Sequence, residues 1–196
     1  MASALTCNGS RVLTPGEASS IRRVISKPSN RALFDLMLYT GLRLEEVRQL
    51  VEHPEIFDEE RRVLVIKSGK AKASQKTRNV ILSDNGLEAV RAFLQAPKMP
   101  TSSSAWQTNL IRWSKIAGLS PLPDRSGEGG NVYGITVRTS RKTWESWLLT
   151  AYEGKAVKIA LSQGHTESTA LGHYLNLSFT DQERESIVEE VRGWRA

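Results

Sequence analysis

Strand-like sequence in this chain is confined to two short runs, and that confinement most restricts what it can fold into. Arg62-Val63-Leu64-Val65-Ile66 and Asn79-Val80-Ile81-Leu82 are rich in β-branched residues and are joined by a polar, lysine-rich connection. They predict one antiparallel hairpin with a long basic tip. The remaining periodic sequence repeats at helical spacing. Thr14-Pro15-Gly16-Glu17 reads as a helix start, with Thr14 as N-cap, Pro15 in the first helical position and Glu17 in the third. That helix is expected to run to about Lys27. Ser29 or Asn30 is expected to cap the next, whose stripe is Leu33, Leu36, Met37 and Thr40. Gly41 closes it, and a further amphipathic stretch (Leu44, Val47, Leu50, Val51) follows at once, leaving Arg43 at a helix-to-helix junction. Asp84 is expected to cap a helix bearing Leu87, Val90, Phe93 and Leu94, and the serines at 102–104 to open another over Trp106–Ala117. After a long loop from Leu119 to Gly134, helices are expected near 136–151, 153–163 and 166–175, then a last one carrying Ile187, Val188, Val191 and Trp194. The fold class read from this pattern is mainly α with a small antiparallel β-sheet (α+β).

A chain of 196 residues can bury one sizeable core. No apolar run approaches the ~20 residues that span a bilayer. The single cysteine, Cys7, excludes an internal disulfide framework and a Cys-rich zinc site, which fits a reducing compartment. Lys and Arg number 27 against 21 Asp and Glu, a net charge of +6 that suits a polyanionic partner. The basic residues cluster, with Lys67, Lys70, Lys72, Lys76 and Arg78 in one segment and Arg138, Arg141 and Lys142 in another.

Three separated strings carry more specific chemistry. Tyr39-Thr40-Gly41-Leu42-Arg43-Leu44-Glu45-Glu46-Val47 resembles the TGLR-x-x-E signature of tyrosine recombinases and integrases. Arg141-Lys142-Thr143-Trp144-Glu145-Ser146 is similar to that family's second arginine box, usually R-H-T-x-x-S. Gln163-Gly164-His165, followed at the family's spacing by Tyr174, resembles its GH…Y ending. The strings occur in the family's order, and the resemblance runs from Leu13 to Tyr174. It implies a catalytic-domain-like fold over 13–196 behind an N-terminal extension, 1–12, without the family's N-terminal companion domain. It also implies a double-stranded DNA partner, a monomer when free and a homotetramer on DNA, and action at the nucleoid in a host cytoplasm.

The implied chemistry suits these residue types. Arg43 and Arg141 would neutralise a scissile phosphate with two rigid forks of donors. Tyr174 would supply the nucleophilic oxygen, and His165 would help hold a phosphate oxygen. A lysine on the hairpin tip would protonate the leaving 5′-oxygen. The turn Lys-Ala-Lys-Ala-Ser-Gln-Lys-Thr-Arg points to Lys70, while counting forward from Arg43 points to Lys67. The covalent bond conserves the phosphodiester energy, so no metal, ATP or other cofactor is expected. Lys67, Lys72, Lys76, Arg78 and Lys142 are candidate DNA contacts.

Two departures stand out. Arg138 occupies a catalytic position where the family has histidine or lysine, and arginine is a poor proton shuttle. Lys142 follows Arg141 where histidine is usual. Such departures resemble divergent archaeal or viral integrases, and they keep two alternatives open: an inactive DNA-binding relative, and a nicking and relaxing enzyme of the type IB topoisomerase kind. A plainer alternative for Arg43 is a surface pair with Glu46 or Asp35, for Arg141 an i,i+4 pair with Glu145, and for the last helix either its own core or a neighbouring subunit.

Overall fold

A computed structural model describes residues 4–67, 77–122, 131–164 and 177–195. Helices dominate, and the strands form two small antiparallel sheets. The first is a hairpin that the sequence pattern did not announce, β1 (Thr6–Cys7) and β2 (Ser10–Arg11), turning through Asn8 and Gly9 at positive φ. Then come α1 (Pro15–Val24), α2 (Pro28–Thr40) and α3 (Leu44–Glu52). Helix α1 starts on the expected capping box, with the Thr14 side chain accepting from Glu17 N–H and Glu17 accepting from Thr14 N–H. It stops at Val24, short of Lys27. Ile25 turns extended to bury itself completely, and Pro28 holds Lys27 extended. The cap of α2 is Lys27, since Pro28 takes the first helical position and draws Ser29 and Asn30 inside the first turn.

The second sheet has three strands in the order β3 (Phe57–Asp58), β4 (Val63–Lys67) and β5 (Thr77–Ile81). The hairpin is thus present, in the register Val63↔Ile81 to Lys67↔Thr77, with β3 as an added edge strand. Its inner face carries Leu64, Ile66 and Val80, all buried. Helix α4 (Asp84–Gln95) is capped by Ser83, whose hydroxyl accepts from Gly86 N–H, and not by Asp84. Asp84 instead faces Arg62 and Arg192. Helix α5 (Ser103–Ile116) opens on Ser102. The described parts of the 119–134 loop are closed by Leu122 N–H to Val132 O at 2.8 Å.

Helix α6 (Thr139–Ala151) begins at the cap residue Arg138, and α7 (Ala156–Gln163) ends on Gly164. The expected helix over 166–175 lies outside the described residues. The final helix, α8 (Asp181–Glu190), packs on α6 and α1. Ile187, Val191 and Trp194 are buried, while Val188 faces outward. Within this chain the helix packs on its own core. Tyr39 donates to Glu190 at 2.9 Å, and Tyr152 donates to the Val191 carbonyl at 3.1 Å.

Helix α6 runs through the middle. Trp144 and Trp147 are both fully buried; Trp144 meets Tyr39 edge-on, and Trp147 donates from its indole to the Leu13 carbonyl at 2.9 Å. Leu13 N–H in turn donates to the Thr143 hydroxyl at 2.9 Å. The chain's N-terminal segment is therefore bonded along the helix that carries Arg141.

Candidate active site

The α2–α3 junction is built by Gly41. Its φ of +66 ends α2 in the left-handed conformation, and a Cβ there would lie 2.4 Å from Gln163 Oε1 and 3.0 Å from Trp144. Glycine lets the junction press against α6 and α7. Two residues on, Arg43 is the N-cap of α3, with its side chain about half exposed. Glu46, in the third position of α3, folds back and accepts the Arg43 backbone N–H at 2.7 Å and its guanidinium at 2.9 Å.

Arg141 reaches the same place from the first turn of α6. Its side chain is nearly buried, and it donates to the Gly41 carbonyl at 2.8 Å and to the Gln163 carbonyl. Those two carbonyls end α2 and α7, so the negative ends of two helix dipoles meet at one guanidinium. Gln163 adds a third link by donating weakly to Thr40 O at 3.5 Å. Arg141 also stands 3.9 Å from Glu46. Burial, then repulsion from Arg43 and Arg78, pushes the Arg141 guanidinium down to about 10.

Arg78, on β5, completes the group. It pairs with Glu46 at 2.8 Å and donates to the Ser162 carbonyl. Three guanidiniums thus surround Glu46, with Glu145 fully buried nearby. Burial alone would raise the Glu46 carboxyl, but Arg78, the Arg43 backbone and Arg141 hold it below its ordinary value.

The structure brings Arg43 and Arg141 together although they lie far apart in the sequence. Arg138 is exposed at the start of α6. Lys67 is exposed at the end of β4, where its backbone exchanges hydrogen bonds with the Gln49 side chain on α3. Lys142 turns inward and donates to the Cys7 carbonyl, tying α6 to the first hairpin. Lys70, Lys72, Lys76, His165 and Tyr174 lie outside the described residues. Glu46 entered the sequence reading only as an alternative partner of Arg43, a pair the structure contains, and Gln163 entered it without a role. Arg78 stood on the basic tip as a DNA contact, yet its side chain is 11% exposed. The signal was available: residues 78, 80 and 82 share one side of a strand, and Val80 and Leu82 are core. Among the described residues there is no cluster of three metal-ligating side chains, and no helix is long and apolar enough to cross a membrane.

The sequence matches no protein-family model and no curated protein. Solved structures do resemble it. One is the XerA recombinase, with a TM-score of 0.64 and 18% identity over 91% of this chain and 64% of that one. Another is the Tn1549 transposon integrase in complex with transposon right end DNA, at 0.63 and 16% identity over 92% and 65%. The integrase from mycobacterium phage Brujita follows, at 0.54 and 17% over 100% and 61%. The chain therefore spans less than two thirds of the length of these proteins. At such identities the likeness is one of fold, and the α+β fold is that of tyrosine recombinase catalytic domains.

Proposed function

We propose that this chain is the catalytic domain of a site-specific tyrosine recombinase or integrase, which cleaves and rejoins double-stranded DNA through a 3′-phosphotyrosine. The observation that carries the reading is the meeting of Arg43 and Arg141 at the α2–α3 junction. One is half exposed and the other is anchored from behind by two carbonyls. A phosphate arriving at this junction meets guanidiniums whose orientation is already fixed, so little reorganisation opposes transition-state binding.

In the proposed reaction the Tyr174 hydroxyl loses its proton to solvent and its oxygen attacks the scissile phosphorus. The P–O bond to the 5′-oxygen breaks, and that oxygen takes a proton from a hairpin lysine, Lys67 or Lys70. Arg43, Arg141 and His165 hold the non-bridging oxygens. A 5′-hydroxyl from the same or another strand then reverses the step, so bond energy is conserved without metal or nucleotide. Two other tyrosines are poorly suited to this task. Burial and Glu190 raise the Tyr39 hydroxyl, and burial and Asp84 raise that of Tyr152. Each is also committed to a hydrogen bond with α8 or the residue after it. Assembly on DNA as a homotetramer, from a free monomer, belongs to the same proposal.

The exposed Arg138 favours a second reading, an inactive relative that binds DNA, because guanidinium cannot shuttle a proton. Covalent trapping on nicked and supercoiled DNA separates the two. An SDS-resistant adduct that Tyr174→Phe abolishes supports the recombinase. Absence of adduct on every substrate, including a cognate nicked site, overturns it.

A further inference from the structure

Arg78 is a third guanidinium at the site, and the reaction above leaves it without a task. Its side chain is nearly enclosed, unlike that of Arg43. One end of its fork is paired with Glu46 and the other donates to the Ser162 carbonyl. Its aliphatic stem lies against Gly164, where a Cβ would come within 2.9 Å of Arg78 Cδ. Arg78 and Arg141 thus hold consecutive carbonyls, Ser162 and Gln163, in the last turn of α7.

The distribution of bonds on Glu46 is equally telling. Oε1 accepts from the Arg43 guanidinium, and Oε2 accepts from both the Arg43 backbone and Arg78. Arg141 stands 3.9 Å from Oε2, beyond hydrogen-bond distance. A carboxylate this well supplied has little drive to close that gap. Without Arg78, Oε2 loses its charged partner, and Arg141 is the adjacent cation. A movement of about 1 Å would then turn this loose ion pair into a charge-assisted hydrogen bond and occupy a donor that a phosphate needs.

We infer that Arg78 is a positioning residue. It keeps Glu46 from closing a direct hydrogen bond to Arg141 and, with Arg141, fixes the last turn of α7, instead of contacting DNA. The inference rests on the recombinase reading for its consequence in catalysis, and on Glu46, Arg78 and Arg141 alone for its geometry.

The test uses the full chain with Arg78→Gln, Arg78→Lys and the double variant Glu46→Gln/Arg78→Gln. Three quantities are measured: adduct formation on a nicked duplex, binding to that duplex across salt, and the Arg141 side-chain N–H resonance. Arg78→Gln is expected to slow adduct formation about 100-fold, and the double variant to recover at least about 10-fold of that. The Arg141 resonance separates this recovery from a repair of stability alone, which would leave Arg141 where it is. The salt slope of the double variant should equal that of the parent. A slope lowered by about one in both variants, with no recovery in the double, would make Arg78 a phosphate contact and overturn the inference. If Arg78→Gln fails to fold, Arg78→Lys keeps a charge beside Glu46 and should stay within about 10-fold of the parent; a deeper loss in folded protein overturns the inference. If the parent forms no adduct, the recombinase reading fails, and the resonance still decides. A shift in Arg78→Gln that reverts in the double variant supports the inference, and an unchanged resonance overturns it.

Discussion

Glu46 carries a burden out of proportion to its size. A buried carboxylate facing Arg43, Arg78 and Arg141 stabilises the fold only while it is ionised, and removing it leaves buried cations in mutual repulsion. Glu46→Ala should therefore cost about 3–5 kcal/mol in urea unfolding at neutral pH. Because its folded-state value is depressed, its contribution is complete above the unfolded value of about 4.3 and disappears as pH falls through the lower folded value. The stability gap between the parent and Glu46→Gln should accordingly close in acid; a gap independent of pH would contradict the ionic role. At Arg138 the prediction concerns rate. Arg138→His introduces a group that titrates near about 6.5, so adduct formation should rise and gain an inflection near that pH. A flat pH–rate profile would mean that proton transfer at this position is dispensable.

The elements show why part of the site could be read from sequence and part could not. Helix α3 begins where a TGLR string predicts, because glycine, a cap and a capping glutamate act within a few neighbouring residues. Gly41→Ala should lose about 1–2 kcal/mol from the left-handed backbone alone, and more from the contact with Gln163. Thermal unfolding reads the loss, and adduct formation should fall further than stability does, since the Gly41 carbonyl orients Arg141. The hairpin and the helix periodicities were equally local and equally legible. The burial of Arg78 was not legible in the sequence, because lysine-rich flanks draw it into the basic tip while its strand register puts it inside. The Lys142 contact could not be read either, because its partner, the Cys7 carbonyl, is far off in sequence. The first hairpin, β1–β2, was invisible for the same reason: two-residue strands gain their stability from what they touch, not from their own pattern. The caps of α2 and α4 were displaced by one to three residues, where proline and serine competed with their neighbours for the same turn.

Across the whole molecule the chain carries a net charge of +6, and Arg43, Arg138 and Lys67 are exposed cations, so duplex binding should weaken steeply as salt rises. A complex with short random duplex that tolerates salt would argue against an electrostatic grip. The first hairpin sits at the other end of this organisation. Cys7 and Val12 are buried, Lys142 is tied to Cys7, and Leu13 is bonded to both Thr143 and Trp147. During synthesis, residues 4–13 leave the ribosome long before α6 exists, and they must wait for it. Conversely, α6 cannot settle until it meets a segment made much earlier. The guanidinium pair therefore closes only when nearly the whole domain has emerged. An unfinished chain therefore carries Arg43 and Arg141 without the Gly41 and Gln163 carbonyls that orient the second of them.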